Sequence, residues 1–138
     1  MKIEVSNGEI IDRHTILIIK SERITDQAKL ENVRLELDAL SQGVKYVYSC
    51  AENPSILHDL VEKLKKVNEQ LWEVEDELRI LESKQDFGKD FIRKARSVYF
   101  LNDSRAELKK KLNSMTGSVI VEAKSYADYP SSKLDSQE

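Results

Sequence analysis

The sequence predicts an all-α fold: a helical bundle built on a long antiparallel helical hairpin, with a shorter N-terminal helix pair. Three observations carry this. The chain has four glycines and two prolines among 138 residues, too little turn material for a β-rich fold. Apolar residues make up 40% and charged residues 34%, a balance that suits a helical protein rather than a disordered chain. Two apolar stripes at helical spacing flank Gly88. Leu57, Leu60, Leu64, Val67, Leu71, Val74, Leu78 and Leu81 precede it; Phe91, Ala95, Val98, Leu101, Leu108, Leu112 and Met115 follow.

The elements follow in order. Met1–Val5 alternates polar and apolar residues, as a short strand or an extended arm does. Ser6 followed by Glu9 has the capping-box form, so a first helix runs from about Gly8 to Ile24. Ile10, Leu17 and Ile24 form one stripe, Ile11 and Ile18 a second, Ile16 and Ile19 a third. A helix apolar on three sides is expected at the centre of the bundle. Thr25-Asp26 starts a second helix from Gln27 to Ser41, with the seam Leu30, Val33, Leu37 and Leu40 and a C-cap at Gln42-Gly43. Val44–Asn53 reads as a short helix or an ordered loop. Asn53-Pro54 opens a third helix to Ser83, roughly 45 Å long. Lys84–Gly88 is the turn, with Asp86 or Asp90 as cap. The fourth helix runs from about Lys89 to Met115 and ends at Gly117. In Ser118–Ala127, Val119-Ile120-Val121 favours a strand, whereas Ser118 as a cap and the following Glu-Ala-Lys favour a helix; the helix is ahead. Residues 1–127 are expected as one domain and residues 128–138 as a disordered tail.

Polar residues on the apolar faces of the hairpin are the one candidate site. Pairing the arms of the hairpin at equal rise sets Asn68 level with about Ala106 and Glu75 level with about Tyr99. Asn68, Trp72, Glu75, Tyr99, Asn102 and Arg105 then share one layer, within reach of Asp12, Lys20 and Arg23 on the first helix. Unpaired charge there costs several kcal/mol, so these groups must pair, meet water or meet a ligand. A buried network fixing helix register, a dimer-facing arrangement and a ligand pocket are the three readings, with Glu75–Arg105 as the expected pair.

The remaining chemistry is sparse. A net charge of −3 provides no basic field for nucleic acid or acidic membrane, and Lys63, Lys65, Lys66 and Lys109–Lys111 are interleaved with acids. Cys50 is the only cysteine, which excludes an intrachain disulfide and favours a reducing compartment. The start MKIEVSNGE lacks a signal-peptide pattern and Ile16–Ile19 is too short to span a membrane, so a cytoplasmic location is expected. His14 and His58 lack ligand spacing, and no Gly-rich phosphate loop exists; no metal or cofactor is expected. The pairs Glu9/Asp12 and Glu73/Asp76 resemble the carboxylate arrangement of all-α nucleotide pyrophosphohydrolases. Those enzymes carry their pairs close in sequence, which these are not. Asp12-Arg13, Lys20 and Arg23 resemble the first helix of chorismate-mutase-like proteins, without a match at their other cationic positions.

Three segments in order, Glu4–Ile24, Asn68–Arg79 with Asp86–Lys110, and Thr116–Ala127, are similar to an uncharacterised domain-of-unknown-function family of bacteria and phages. His14 departs from the pattern, where a bulky apolar residue is expected. The resemblance omits Ala39–Val67 and the tail, implies no established activity and supplies no catalytic residues. The functional expectation is a helical interaction or accessory module, self-associating or bound to a protein partner. The alternative is a small-molecule-binding protein or enzyme acting on a phosphorylated or sugar-nucleotide substrate through the polar layer.

Overall fold

The computed structural model describes residues 1–129. It contains α1 (Asn7–Arg23), α2 (Gln27–Ser49), α3 (Pro54–Ser83) and α4 (Lys89–Thr116), with no strand among the described residues. α3 and α4 form the long antiparallel pair, and α1 packs against each of the other three helices. Ile11 of α1, Val47 of α2, Leu57, Val61 and Leu64 of α3 and Leu112 of α4 form one buried cluster. Each such side chain contributes about 1.5–3 kcal/mol by leaving water. The broad apolar surface of α1 is thus used, with Ile11, Leu17 and Ile19 all buried.

Local signals set the helix ends. The Ser6 hydroxyl accepts the Glu9 N–H at 3.1 Å, and the Asp26 carboxylate accepts the Lys29 N–H at 2.9 Å. The Asn53 side chain caps α3 ahead of Pro54. Gly117, at φ 65°, closes α4 in the left-handed conformation. In the hairpin turn, the Asp86 carboxylate accepts the Gly88 N–H at 3.2 Å. Asp90 serves Arg93 and Lys94 instead.

Two expectations change, and one alternative falls. α2 does not stop at Ser41 but continues through Gly43 to Ser49, so Val44–Ser49 is helix. Gly43 lies against Ile10 of α1, and the seam extends through Val44 and fully buried Val47. That packing outweighs the ~1 kcal/mol that a glycine costs inside a helix. Ser118–Ala127 is neither helix nor strand. The Ser118 hydroxyl, needed to cap a new helix, instead accepts the Asn7 N–H at 3.0 Å and donates to the Ile120 carbonyl at 2.7 Å. Met1–Val5 is exposed and unpaired as a strand. Of the expected disordered tail, 130–138 lies outside the described residues, while Tyr129 packs edge-on against Tyr99 and Phe100.

α1 crosses the hairpin rather than following it. Its first turns meet the C-terminal half of α4, and its last residue, Arg23, pairs with Glu69 and Glu73 on α3. Beyond Val74 the hairpin stands as two helices, and between Glu75 and Lys111 no side chain reaches full burial. No described helix is long and apolar enough to cross a membrane.

Two glycines should respond oppositely to alanine. A Cβ on Gly8 would lie 2.6 Å from the Lys109 carbonyl oxygen, so Gly8→Ala should cost about 2–3 kcal/mol in denaturant unfolding by forcing α1 off α4. A Cβ on Gly43 meets Ile10 at an ordinary 3.5 Å, so Gly43→Ala should gain about 0.5–1 kcal/mol. A pH effect follows from His14, whose pKa burial lowers below 6.5. The fold holds it neutral while the unfolded chain takes up a proton more readily, so stability falls as pH drops through and below 6.5. Unfolding curves above and below that pH should show the loss, and His14→Leu should flatten it.

Candidate functional site

The candidate site begins with Asp12, on the face of α1 that meets the hairpin. Its side chain is 1% exposed, and its charge is balanced from two helices. Asn68 of α3 donates both amide hydrogens, one to Asp12 Oδ1 and one to Thr15 Oγ1, each at 2.9 Å. The reverse amide orientation would aim a carbonyl at a carboxylate, so the donor role is dictated by charge. Arg105 of α4 closes a two-pronged pair on Asp12: Nε to Oδ1 at 2.9 Å and Nη2 to Oδ2 at 2.5 Å. Thr15 returns its own proton to the Asp12 carbonyl at 2.8 Å. Donating to the Asp12 carboxylate raises the Arg105 pKa above its ordinary value despite desolvation; Glu9 and Glu75 add to this electrostatically. No buried side-chain nitrogen or oxygen among the described residues lacks a partner.

The polar contacts continue along α1 and α4, which run in opposite directions. Lys109 binds Glu9 at 2.6 Å and approaches Asp12 Oδ2 at 4.0 Å. The Gly8 N–H donates to Asn113 Oδ1 at 2.6 Å, and the Asn7 amide donates to Thr116 Oγ1 at 3.0 Å. Ser6 donates to Glu122 at 2.9 Å. The free N–H groups that begin α1 are therefore consumed by side chains from the end of α4 and the segment after it.

Of the nine expected site residues, the structure brings together Asp12, Asn68 and Arg105. Glu75 does not pair with Arg105; the oblique path of α1 delivers Asp12 to the guanidinium first, and Glu75 acts only at longer range. Tyr99 lies outside the layer, 43% exposed and stacked near Phe100 and Tyr129, because it sits roughly a third of a turn round α4 from Arg105. Arg23 is at the far end of α1 on Glu69 and Glu73. Lys20 is half-buried and makes no ion pair within 4 Å among the described residues. Trp72 and Asn102 are half-buried, without a side-chain hydrogen bond among the described residues. Sequence reasoning missed Thr15, Lys109, Asn113 and Thr116. Their signal was present: Thr15 follows Asp12 by one turn, and Lys109, Asn113 and Thr116 continue the face of α4 that carries Arg105.

As chemistry, the centre is saturated. Both Asp12 oxygens are occupied by donors, and no thiol or histidine is bonded to them. A groove of about 490 Å³ between α4 and residues 122–126 includes Lys109 and Asn113 but not Asp12, Asn68 or Arg105. The two Glu-x-x-Asp pairs are each met by cations: Glu9 by Lys109, Asp12 by Arg105, Glu73 by Arg23 and Asp76 by Arg79. No group of three or more His, Cys, Asp or Glu suited to a metal ion occurs among the described residues.

Residues 1–137 match the model of a family of unknown function, DUF6165, and the chain belongs to that family. The match spans Ala39–Val67 as well, which the resemblance of separate segments left out. Comparison with curated proteins and with solved structures finds no match.

Asp12→Asn should cost about 3 kcal/mol, because it strips the half-buried Arg105 of its counter-charge. Glu75→Gln, which removes no direct hydrogen bond, should cost under about 1 kcal/mol. Denaturant unfolding of the two variants checks the ordering; equal losses would contradict the assignment of Asp12 as the primary partner.

Proposed function

We propose that this chain is a helical interaction or accessory module that docks a helical partner on the outer half of the α3–α4 hairpin. The observation that carries the reading is the stretch beyond α1 that no other helix covers among the described residues. Leu78, Leu81, Phe91 and Val98 lie there only half-buried; Ile80 and Ile92, each 53% exposed, project from other sides of their helices. An isolated pair of helices buries little apolar surface, and apolar side chains left half open offer an interaction surface. The saturated centre supports the same reading from the other side, since Asp12, Asn68 and Arg105 are spent on holding three helices together. A small-molecule or enzymatic role on a phosphorylated or sugar-nucleotide substrate draws less support, because the described groove does not reach that centre.

Self-association ranks second as the form docking takes. Two hairpins laid face to face and antiparallel by a two-fold axis set α3 on α3, and this part of α3 is acidic.

Amide hydrogen exchange tests the reading. Residues 78–98 should exchange much faster than residues 57–71, as an uncovered helical pair does. Equal protection that survives dilution would remove the reading, because the face would already be covered within the chain. Protection that fades on dilution, with a solution mass above 15.9 kDa, would promote self-association to first place.

A further inference from the structure

The uncovered hairpin face has a chemical polarity that specifies its occupant. We propose that it binds a basic amphipathic helix of a partner protein, laid with its apolar stripe on α4 and its cations toward α3. The inference rests on the docking reading above.

The face is built from both arms. On α3, Glu75 and Glu82 continue the heptad line of Asn68, with Leu78 beside them toward α4. On α4, Phe91 and Val98 continue the line of Arg105, with Ala95 next to them. One wall of this face is therefore apolar and the other carries carboxylates. From Glu69 to Glu82, α3 bears six carboxylates (Glu69, Glu73, Glu75, Asp76, Glu77 and Glu82) against the single cation Arg79, a formal charge of −5. Glu77 is taken by Lys94 and Asp76 by Arg79. Glu75 and Glu82, the two on the heptad line, make no ion pair within 4 Å among the described residues.

Where α1 leaves the hairpin, Arg23 lies 3.4 Å from Glu69 and 3.0 Å from Glu73, on another side of α3 from the line of Glu75 and Glu82, so α1 leaves that line unclaimed. α1 presents isoleucine and leucine to the hairpin and ends in Lys20 and Arg23. A second helix crossing further out would meet Leu78, Phe91 and Val98 with its apolar side and find Glu75 and Glu82 unclaimed. A helix with acidic flanks would be repelled by that wall, and a second copy of the hairpin laid antiparallel would oppose one acidic wall with another. About three turns of helix fill the exposed length, since Glu75–Ser83 rises roughly 14 Å.

Two synthetic helical peptides with one shared leucine stripe, one flanked by lysines and the other by glutamates, provide the probe. Trp72 is the only tryptophan and sits half-buried beside this face, so its emission reports binding to the full chain. The lysine-flanked peptide should bind at least about tenfold more tightly, a ratio that salt reduces. Glu82→Lys, at the tip and away from Arg105, should narrow that ratio; Glu75→Lys with Glu82→Lys should invert it. Leu78→Ser should weaken the lysine-flanked peptide. Equal affinity for both peptides, an order unmoved by Glu82→Lys, or no peptide binding at all would overturn the proposal. If peptides fail while protection of residues 78–98 fades on dilution, docking survives as self-association and only the basic-helix assignment falls. If residues 78–98 are fully protected at every dilution, the docking reading itself has failed.

Discussion

A carboxylate buried where three helices meet is the constraint on which this structure depends. Asp12 cannot remain there unpaired, since an isolated buried charge costs several kcal/mol. It therefore forces α3 to present Asn68 and α4 to present Arg105 at one point. Leucines slide past one another with small penalties; a two-pronged guanidinium pair does not. Moving α4 by a single residue would turn Arg105 by roughly 100° and leave both charges stranded. The gain is specificity more than stability, because a well-packed apolar trio at the same place would hold the helices as firmly without fixing their register.

The same constraint explains the division of the hairpin. α1 is anchored to α4 by Asn7, Gly8, Glu9 and Asp12, and its path then leads across α3 to Glu69 and Glu73. A helix committed to that crossing cannot also cover the outer turns. The inner half of the bundle has a layer above the hairpin and a common core; among the described residues the outer half has neither. Apolar residues of the same type thus have different roles on one helix. Leu57 and Leu64 are sealed, whereas Leu78 and Leu81 remain half open.

Much of this was legible in the chain. Asn53-Pro54 and an unbroken leucine stripe define α3 from Pro54 to Ser83, and Gly117 marks the end of α4. Periodicity also exposed Asn68 and Arg105 as polar residues on apolar faces. It could not say which acid Arg105 takes. That choice depends on the angle at which α1 crosses, and helical periodicity describes one helix at a time. Gly43 misled because a glycine after a polar residue resembles a helix end; only the packing of α2 beyond it, through buried Val47, shows that the helix runs on. Ser118 misled similarly, since its hydroxyl serves a helix far away in sequence rather than its own segment.

The lock between α1 and α4 also has a consequence for how the chain is made. Its contacts join residues separated by 93 to 109 positions. α1 leaves the ribosome well before α4, and its buried carboxylate and opening N–H groups wait for that later helix. Until α4 emerges, Asp12 has no cation and Gly8 no acceptor, so α1 has reason to stay hydrated. Completion of the bundle is thereby tied to the emergence of α4: a nascent chain that stops before Arg105 can form α2 and α3 but cannot close its centre.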